Sequence, residues 1–149
     1  MKRLFAAFFS IALLLWAAAA AAQGAKIIEN YQDFGEYRVT YTVFNSDFIS
    51  PEMARNYNLV RARDRAFVNI SVAKKGAMKG ESAGLSGTAT NLIQQSRNLE
   101  FKEIRDQDAV YYLAPFRFEN EESLTFNIDL VLPDGSSHEL TFRRQLHKN

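Results

Sequence analysis

"LTFNIDLVLPDGSSHELTF", residues 124–142, is the stretch whose reading decides the fold. Leu124, Phe126, Ile128 and Leu130 recur at every second position, the period of a strand with one buried face. Pro133-Asp134-Gly135 follows, and each residue favours a turn for its own reason. Proline fixes φ, aspartate bonds nearby backbone, and glycine accepts a left-handed conformation. Leu140 and Phe142 then resume the alternation, so the segment reads as a β-hairpin with one apolar face shared by both arms.

The same period recurs upstream. Tyr37, Val39, Tyr41 and Val43 alternate with Arg38, Thr40 and Thr42, and Ala66, Val68, Ile70 and Val72 alternate with Phe67, Asn69, Ser71 and Ala73. Residues 85–93 ("LSGTATNLI") are a weaker strand, with Gly87 marking a close backbone approach. Residues 99–104 and 109–118 flank "RDQD" as a second hairpin. About seven strands with turn signals between them predict an all-β fold, an antiparallel immunoglobulin-like β-sandwich. "Immunoglobulin-like" describes architecture only, because the cysteine and tryptophan marks of antibody domains are missing.

The first residues belong to export, not to the fold. Lys2 and Arg3 precede an apolar run from Leu4 to Ala22, broken only by Ser10, and Ala20-Ala21-Ala22 supplies the small residues of a cleavage point. An uncleaved anchor is the competing reading, since roughly 20 apolar residues span a bilayer. The alanine-rich second half and the A-x-A ending favour a signal peptide over residues 1–22. That leaves a single β-sandwich domain over 23–149, of 149 − 22 = 127 residues, with a periplasmic destination. Cleavage removes two of the 18 basic residues and none of the 17 acidic ones, so the mature charge is 16 − 17 = −1. That balance argues against nucleic acid or an anionic membrane as partner, both of which want clustered positive charge. No stable membrane anchor remains after cleavage. The absence of cysteine excludes disulfides, thiolate chemistry and lipid attachment through cysteine.

Residues 45–57 ("NSDFISPEMARNY") depart from the strand pattern. Ser50 is an N-cap, Pro51 suits the first helical position and Glu52 adds negative charge to the first turn, so one short helix interrupts the strands. Met53 and Tyr57 at i, i+4 give it an apolar face, and Phe48 and Ile49 are too apolar to be left exposed. The excursion is expected to plug an open end of the sandwich, with Asp47, Glu52 and Arg55 outward. Loops at the end of a rigid sandwich also carry binding residues. In "RARDR", Arg61, Arg63 and Arg65 form either a small carboxylate clamp or a solvated strand face with partners such as Glu36. The candidate binding residues are therefore Asp47, Phe48, Arg55, Tyr57, Arg61 and Arg63.

Catalytic chemistry finds little support. His138 keeps the parity of Leu140 and Phe142 and reads as the end of the core face, while His147 lies two residues before Asn149, where a frayed terminus makes it a poor candidate. "GLSG" at 84–87 lacks the spacing of a nucleophile elbow. The acidic residues Glu119, Glu121, Glu122, Asp106 and Asp108 lack a calcium-loop pattern and read as solubilising turns. Met53, Met78 and His138 are soft donors for copper but are scattered. Asn69-Ile70-Ser71 is a glycosylation sequon in mid-strand, discounted for a chain whose signal looks bacterial.

The segments "FGEYRVTYTVFNSDFISPEMARNYNL", "RAFVNISV", "LSGTATNL", "AVYYLAPFRFENEESLTFNI" and "PDG", taken in order, resemble domain-of-unknown-function family 4426, small exported proteins of Gram-negative bacteria. The resemblance implies a periplasmic β-sandwich and carries no activity or functional residues with it. A non-enzymatic binding or accessory module without cofactor, acting on an envelope protein, peptide or other envelope component, is the expected function. A metal or small-ligand carrier is the alternative. The only tryptophan, Trp16, lies in the export segment. Native mature protein should therefore show tyrosine emission without an indole band and a mass starting at Gln23. Indole fluorescence from purified native protein would refute cleavage.

Overall fold

The computed structural model describes residues 30–149; the expected signal peptide, residues 1–22, lies outside the described residues. The architecture is a sandwich of two antiparallel sheets. Among the described residues the strands are β1 (Asn30–Phe34), β2 (Tyr37–Asn45), β3 (Arg65–Lys74), β4 (Gly80–Glu81) and β5 (Gly84–Asn91). They continue with β6 (Ser96–Leu99), β7 (Lys102–Asp106), β8 (Ala109–Arg117), β9 (Glu122–Val131) and β10 (Ser137–Leu146). One sheet has the order β1-β2-β3-β8-β7, with β4 paired to β3, and the other has the order β10-β9-β5-β6.

The hairpin read at 124–142 is β9–β10. Its register places Phe126 opposite Phe142, Ile128 opposite Leu140 and Leu130 opposite His138. Leu124, Phe126, Ile128, Leu130 and Leu140 are all buried. Gly135 sits at φ +82°, and Asp134 Oδ1 accepts the Ser136 N–H at 2.9 Å, the turn chemistry expected of "PDG". The parity of β2 and β3 also holds: Val39, Ala66, Val68, Ile70 and Val72 face the second sheet in the main core. Rings from both sheets bridge that core. Tyr41 stacks on Phe142 at 4.3 Å, Phe142 on Phe126 at 4.9 Å, and Phe116 meets Phe126 edge-on at 5.3 Å. His138 ends the core face as expected, against the Phe34 ring at 4.6 Å and with Nε2 2.9 Å from Ser136 Oγ.

Ten strands replace the expected seven or so, and the additions have local causes. The weak strand at 85–93 stops at Asn91, whose Oδ1 accepts the N–H groups of Ile93 and Gln95 and turns the chain. The continuous strand expected over 99–104 is two strands in different sheets, since Leu99 ends β6 and Lys102 begins β7. Residues 100–101 carry the chain from one sheet to the other. β1 and β4 are short and largely polar, which erases their period-two signature.

Gly87 sits between Leu99 and Ile128 in register. A Cβ there would lie 2.5 Å from the Asn127 carbonyl oxygen and 3.2 Å from Ile128 Cα, so the approach of β5 to β9 requires glycine. Gly87→Ala should destabilise the domain by about 2–3 kcal/mol through overpacking. Urea denaturation checks this, and an unchanged midpoint would show that the two strands can separate freely.

Candidate functional site

The excursion between β2 and β3 begins with a 3-10 turn at Ser46–Phe48, followed by helix α1 (Pro51–Asn56). Ser50 Oγ accepts the Met53 N–H at 3.1 Å and Pro51 opens the helix, as its sequence predicts. At the far end, Asn58 takes φ +54° and the Leu59 N–H returns to the Ala54 carbonyl at 2.8 Å. The two ends of the excursion are tied through one buried side chain. Ser46 Oγ donates to the Ala62 carbonyl and accepts the Ala62 N–H, both at 2.8 Å.

The segment does not plug an end of the sandwich. It folds over the outer face of the β1-β2-β3-β8-β7 sheet, where Ile49 and Ala54 join Phe67, Ile104 and Leu113 in a second core, flanked by Phe44, Met53, Tyr57 and Leu59. The cause lies in β3 and β8, which are apolar on both parities. Phe67 and Leu113 point away from the main core and need a second cover. Phe48 also departs from expectation. It is 71% exposed, whereas Ile49 is 5% exposed. A 3-10 turn brings positions i and i+3 to one side. Ser46 and Ile49 therefore face inward and Phe48 projects out.

Three of the six expected binding residues are brought together. Asp47, Arg61 and Arg63 line a polar depression of about 300 Å³ with Asn45 and Asn149. Arg63 donates to the Asn149 backbone oxygen through Nη2 (2.9 Å) and Nε (3.3 Å), and Asn149 Nδ2 donates to Asp47 Oδ2 at 2.7 Å. Arg61 Nη2 donates to the Asp47 carbonyl at 3.3 Å. The clamp reading thus has a structural counterpart, filled by the chain itself. The Glu36 pairing fails. Arg61 and Arg63 precede β3, and Glu36 lies at the other end of β2, where its carbonyl accepts the Lys75 N–H at 2.9 Å. Arg55 is exposed on α1. Tyr57 belongs to the second core, and its carbonyl accepts Lys102 Nζ.

The larger concavity escaped the sequence reading. An apolar groove of about 630 Å³ is floored by Thr42, Phe44, Asn69, Ile104, Tyr111 and Leu113 and walled by Phe48, Ile49 and Met53. It leaves the sheet beside the end of β10, at Gln145, Leu146 and His147. Thr42, Asn69 and Leu113 are in register across three strands, so the groove crosses the sheet. Asn69 Oδ1 is buried in its floor without a hydrogen-bond partner. The available signal was the second parity: Phe44, Phe67 and Leu113 already showed an outer face that something had to cover.

The acidic turn is more than a solubilising tip. Glu122 accepts from Arg97 Nη2 at 2.9 Å, Asn91 Nδ2 at 3.2 Å and the Glu119 N–H at 2.8 Å, tying β9 to the β5–β6 turn. Among the described residues no group of three or more histidine, aspartate or glutamate side chains is placed to hold a metal ion. Nor is any helix there long and apolar enough to cross a membrane.

An antiparallel β-sandwich with an apolar groove on the outer face of one sheet is the class that this geometry defines. Within that class the chain belongs to the DUF4426 family (domain of unknown function), whose model matches residues 31–149. It is similar to the crystal structure of a DUF4426 family protein from Pseudomonas aeruginosa, with 30% identity and a TM-score of 0.74. The match covers 81% of this chain and 96% of that one. It also shares its fold with FetP of uropathogenic Escherichia coli, expressed in the periplasm, at 12% identity and a TM-score of 0.60, over 85% of this chain and 99% of that one. A copper-bound FetP variant matches at 11% identity and a TM-score of 0.60, over 80% and 95%. A comparison with curated proteins finds no match.

Burial pushes the Glu122 carboxyl up, but the Glu119 N–H and the Arg97 and Asn91 side chains outweigh it and hold the group below its ordinary range. A depressed folded value stabilises the fold above the unfolded one and loses that stabilisation as pH falls through the folded value. Glu122→Gln should therefore lower stability at neutral pH and flatten the fall between neutral pH and about pH 3. Denaturation midpoints across that range check it; parallel curves for the two proteins would refute it.

Proposed function

We propose that this protein is an exported, non-enzymatic binding module of the bacterial periplasm that holds an apolar segment of an envelope protein or peptide. The observation that carries the reading is the groove of about 630 Å³ with Phe48, 71% exposed, standing at its wall. Ligand sites are concave and mostly apolar, with a few polar groups for orientation, and here Thr42, Asn45 and Asn69 supply those groups. The periplasmic destination draws support from the export signal at residues 1–22 and from the fold shared with FetP. The ionisable side chains of the second depression are engaged with Asn149 and with the Asp47 main chain, so they are spent on holding the loop, which supports a binding role for the apolar groove over catalysis in the depression.

A second reading, carriage of copper or another small ligand, is favoured by one pairing. Met53 and His147, both soft or borderline donors, line the same groove. Met78 is 97% exposed and His138 packs on Phe34, so neither adds to that pair.

Titration of mature protein with the apolar dye N-phenyl-1-naphthylamine separates the readings. Phe48→Asp and Tyr111→Asp should each weaken dye binding about tenfold, whereas Val131→Asp on the other sheet should leave it unchanged. Equal binding by all three would remove the groove as the site. Stoichiometric copper in untagged protein, lost in Met53→Ala and His147→Ala, would replace the first reading with the second.

A further inference from the structure

The groove and the polar depression meet at one short stretch of chain. Gln145, Leu146 and His147 border the groove, Asn149 lies in the depression, and Asn45 lines both. The β9–β10 ladder ends at Leu146, which is buried and stands opposite Glu122. Beyond it, residues 147–149 are held through side chains of two loops. Asn45 Nδ2 donates to the His147 carbonyl at 2.9 Å, the Lys148 N–H donates to Asn120 Oδ1 at 2.9 Å, and Lys148 Nζ lies 3.5 Å from Glu119. Arg63 and Asp47 grip Asn149. Exposed polar bonds and a surface ion pair trade against water almost evenly, so this tail is seated but exchangeable.

The chemistry of the seat is that of a peptide end. Arg63 places Nε and Nη2, the donors on one side of its guanidinium, on a single main-chain oxygen of Asn149. A carboxylate would give each donor an oxygen of its own, and charge-assisted bonds are the stronger kind. Arg61 brings a second positive charge into the same depression, whose lining holds two arginines and one aspartate. The depression also opens toward the groove, since Asp47 lines the first and Phe48, next in sequence, walls the second.

We propose that this seat receives the carboxylate end of an apolar peptide segment, and that residues 147–149 are the tethered competitor which the segment displaces. This rests on the groove being the binding site and names its ligand as a peptide carboxy terminus. The carboxylate pairs with Arg63 and Arg61, and the apolar side chains before it lie in the groove past Asn45 and Phe48. Asn45 Nδ2 and Asp47 Oδ2, released from His147 and Asn149, become a donor and an acceptor for the amide groups of the incoming segment. A fatty acid would satisfy the arginines but brings no amide to either.

The test uses mature protein and the labelled peptide fluoresceinyl-Gly-Val-Thr-Leu-Val-Phe, as free acid and as carboxamide. The acid should bind about tenfold tighter than the amide, and Arg61→Gln and Arg63→Gln should each abolish that preference. Arg61 has one bond to the loop, at 3.3 Å, so its variant carries the test if Arg63→Gln fails to fold. Asn120→Ala, which loosens Lys148 from outside the seat, should tighten binding of the acid about threefold. Equal affinity for acid and amide, with the dye still bound, would overturn carboxylate recognition while leaving the groove as the site. Unchanged affinity in Asn120→Ala would overturn competition by the tail. Dodecanoate displacing the dye where the acid peptide does not would reassign the seat to acyl chains. Failure of both dye and peptide to bind would bring down the underlying reading as well.

Discussion

The contact on which the rest of the molecule depends is the run of rings through the middle of the sandwich. Tyr41 and Phe116 come from one sheet and Phe126 and Phe142 from the other, with centroid separations of 4.3 to 5.3 Å along the run. Each stacked or edge-on pair contributes about 0.5–1.5 kcal/mol beyond the burial of its area. Position matters more than that sum. Phe126 and Phe142 face each other in the β9–β10 register, so a one-residue slip of either strand would remove a ring from the core and expose it. The rings therefore fix register in one sheet and spacing to the other, which a thiol-free domain has to achieve by packing alone.

Once the inner face is fixed, the outer face of the first sheet follows. With Val68 and Ile70 turned inward, Phe67 has to turn outward; with Tyr112 and Ala114 inward, Leu113 has to turn outward. Fully burying a side chain of this size is worth about 1.5–3 kcal/mol. A cover is therefore selected for, and residues 46–64 provide it by returning through the Ser46–Ala62 bonds. The cover is partial. Among the described residues it reaches Phe67, Ile104 and Leu113 but leaves Thr42, Asn69 and Tyr111 in an open trough.

The sequence made the inner face legible because strand parity is a strict code. Among the described residues β2, β3, β9 and β10 announce themselves by alternation, β5 and β8 are read from weaker patterns and turn signals, and Gly87 marks its own close approach. β1 and β4 are short and largely polar, and β6 and β7 read as one strand because the break at residues 100–101 is a change of sheet that no local pattern records. The helix signals at Ser50 and Pro51 were equally clear, being local hydrogen-bond and dihedral effects. The docking of that helix was not legible. Where α1 lands depends on which face of β3 and β8 is left uncovered, and Phe48 points outward because of a 3-10 turn whose geometry the residue types do not dictate. Of the candidate site, Asp47, Arg61 and Arg63 converge as residue chemistry suggested, whereas the groove arises from three strands in register and appears only in three dimensions.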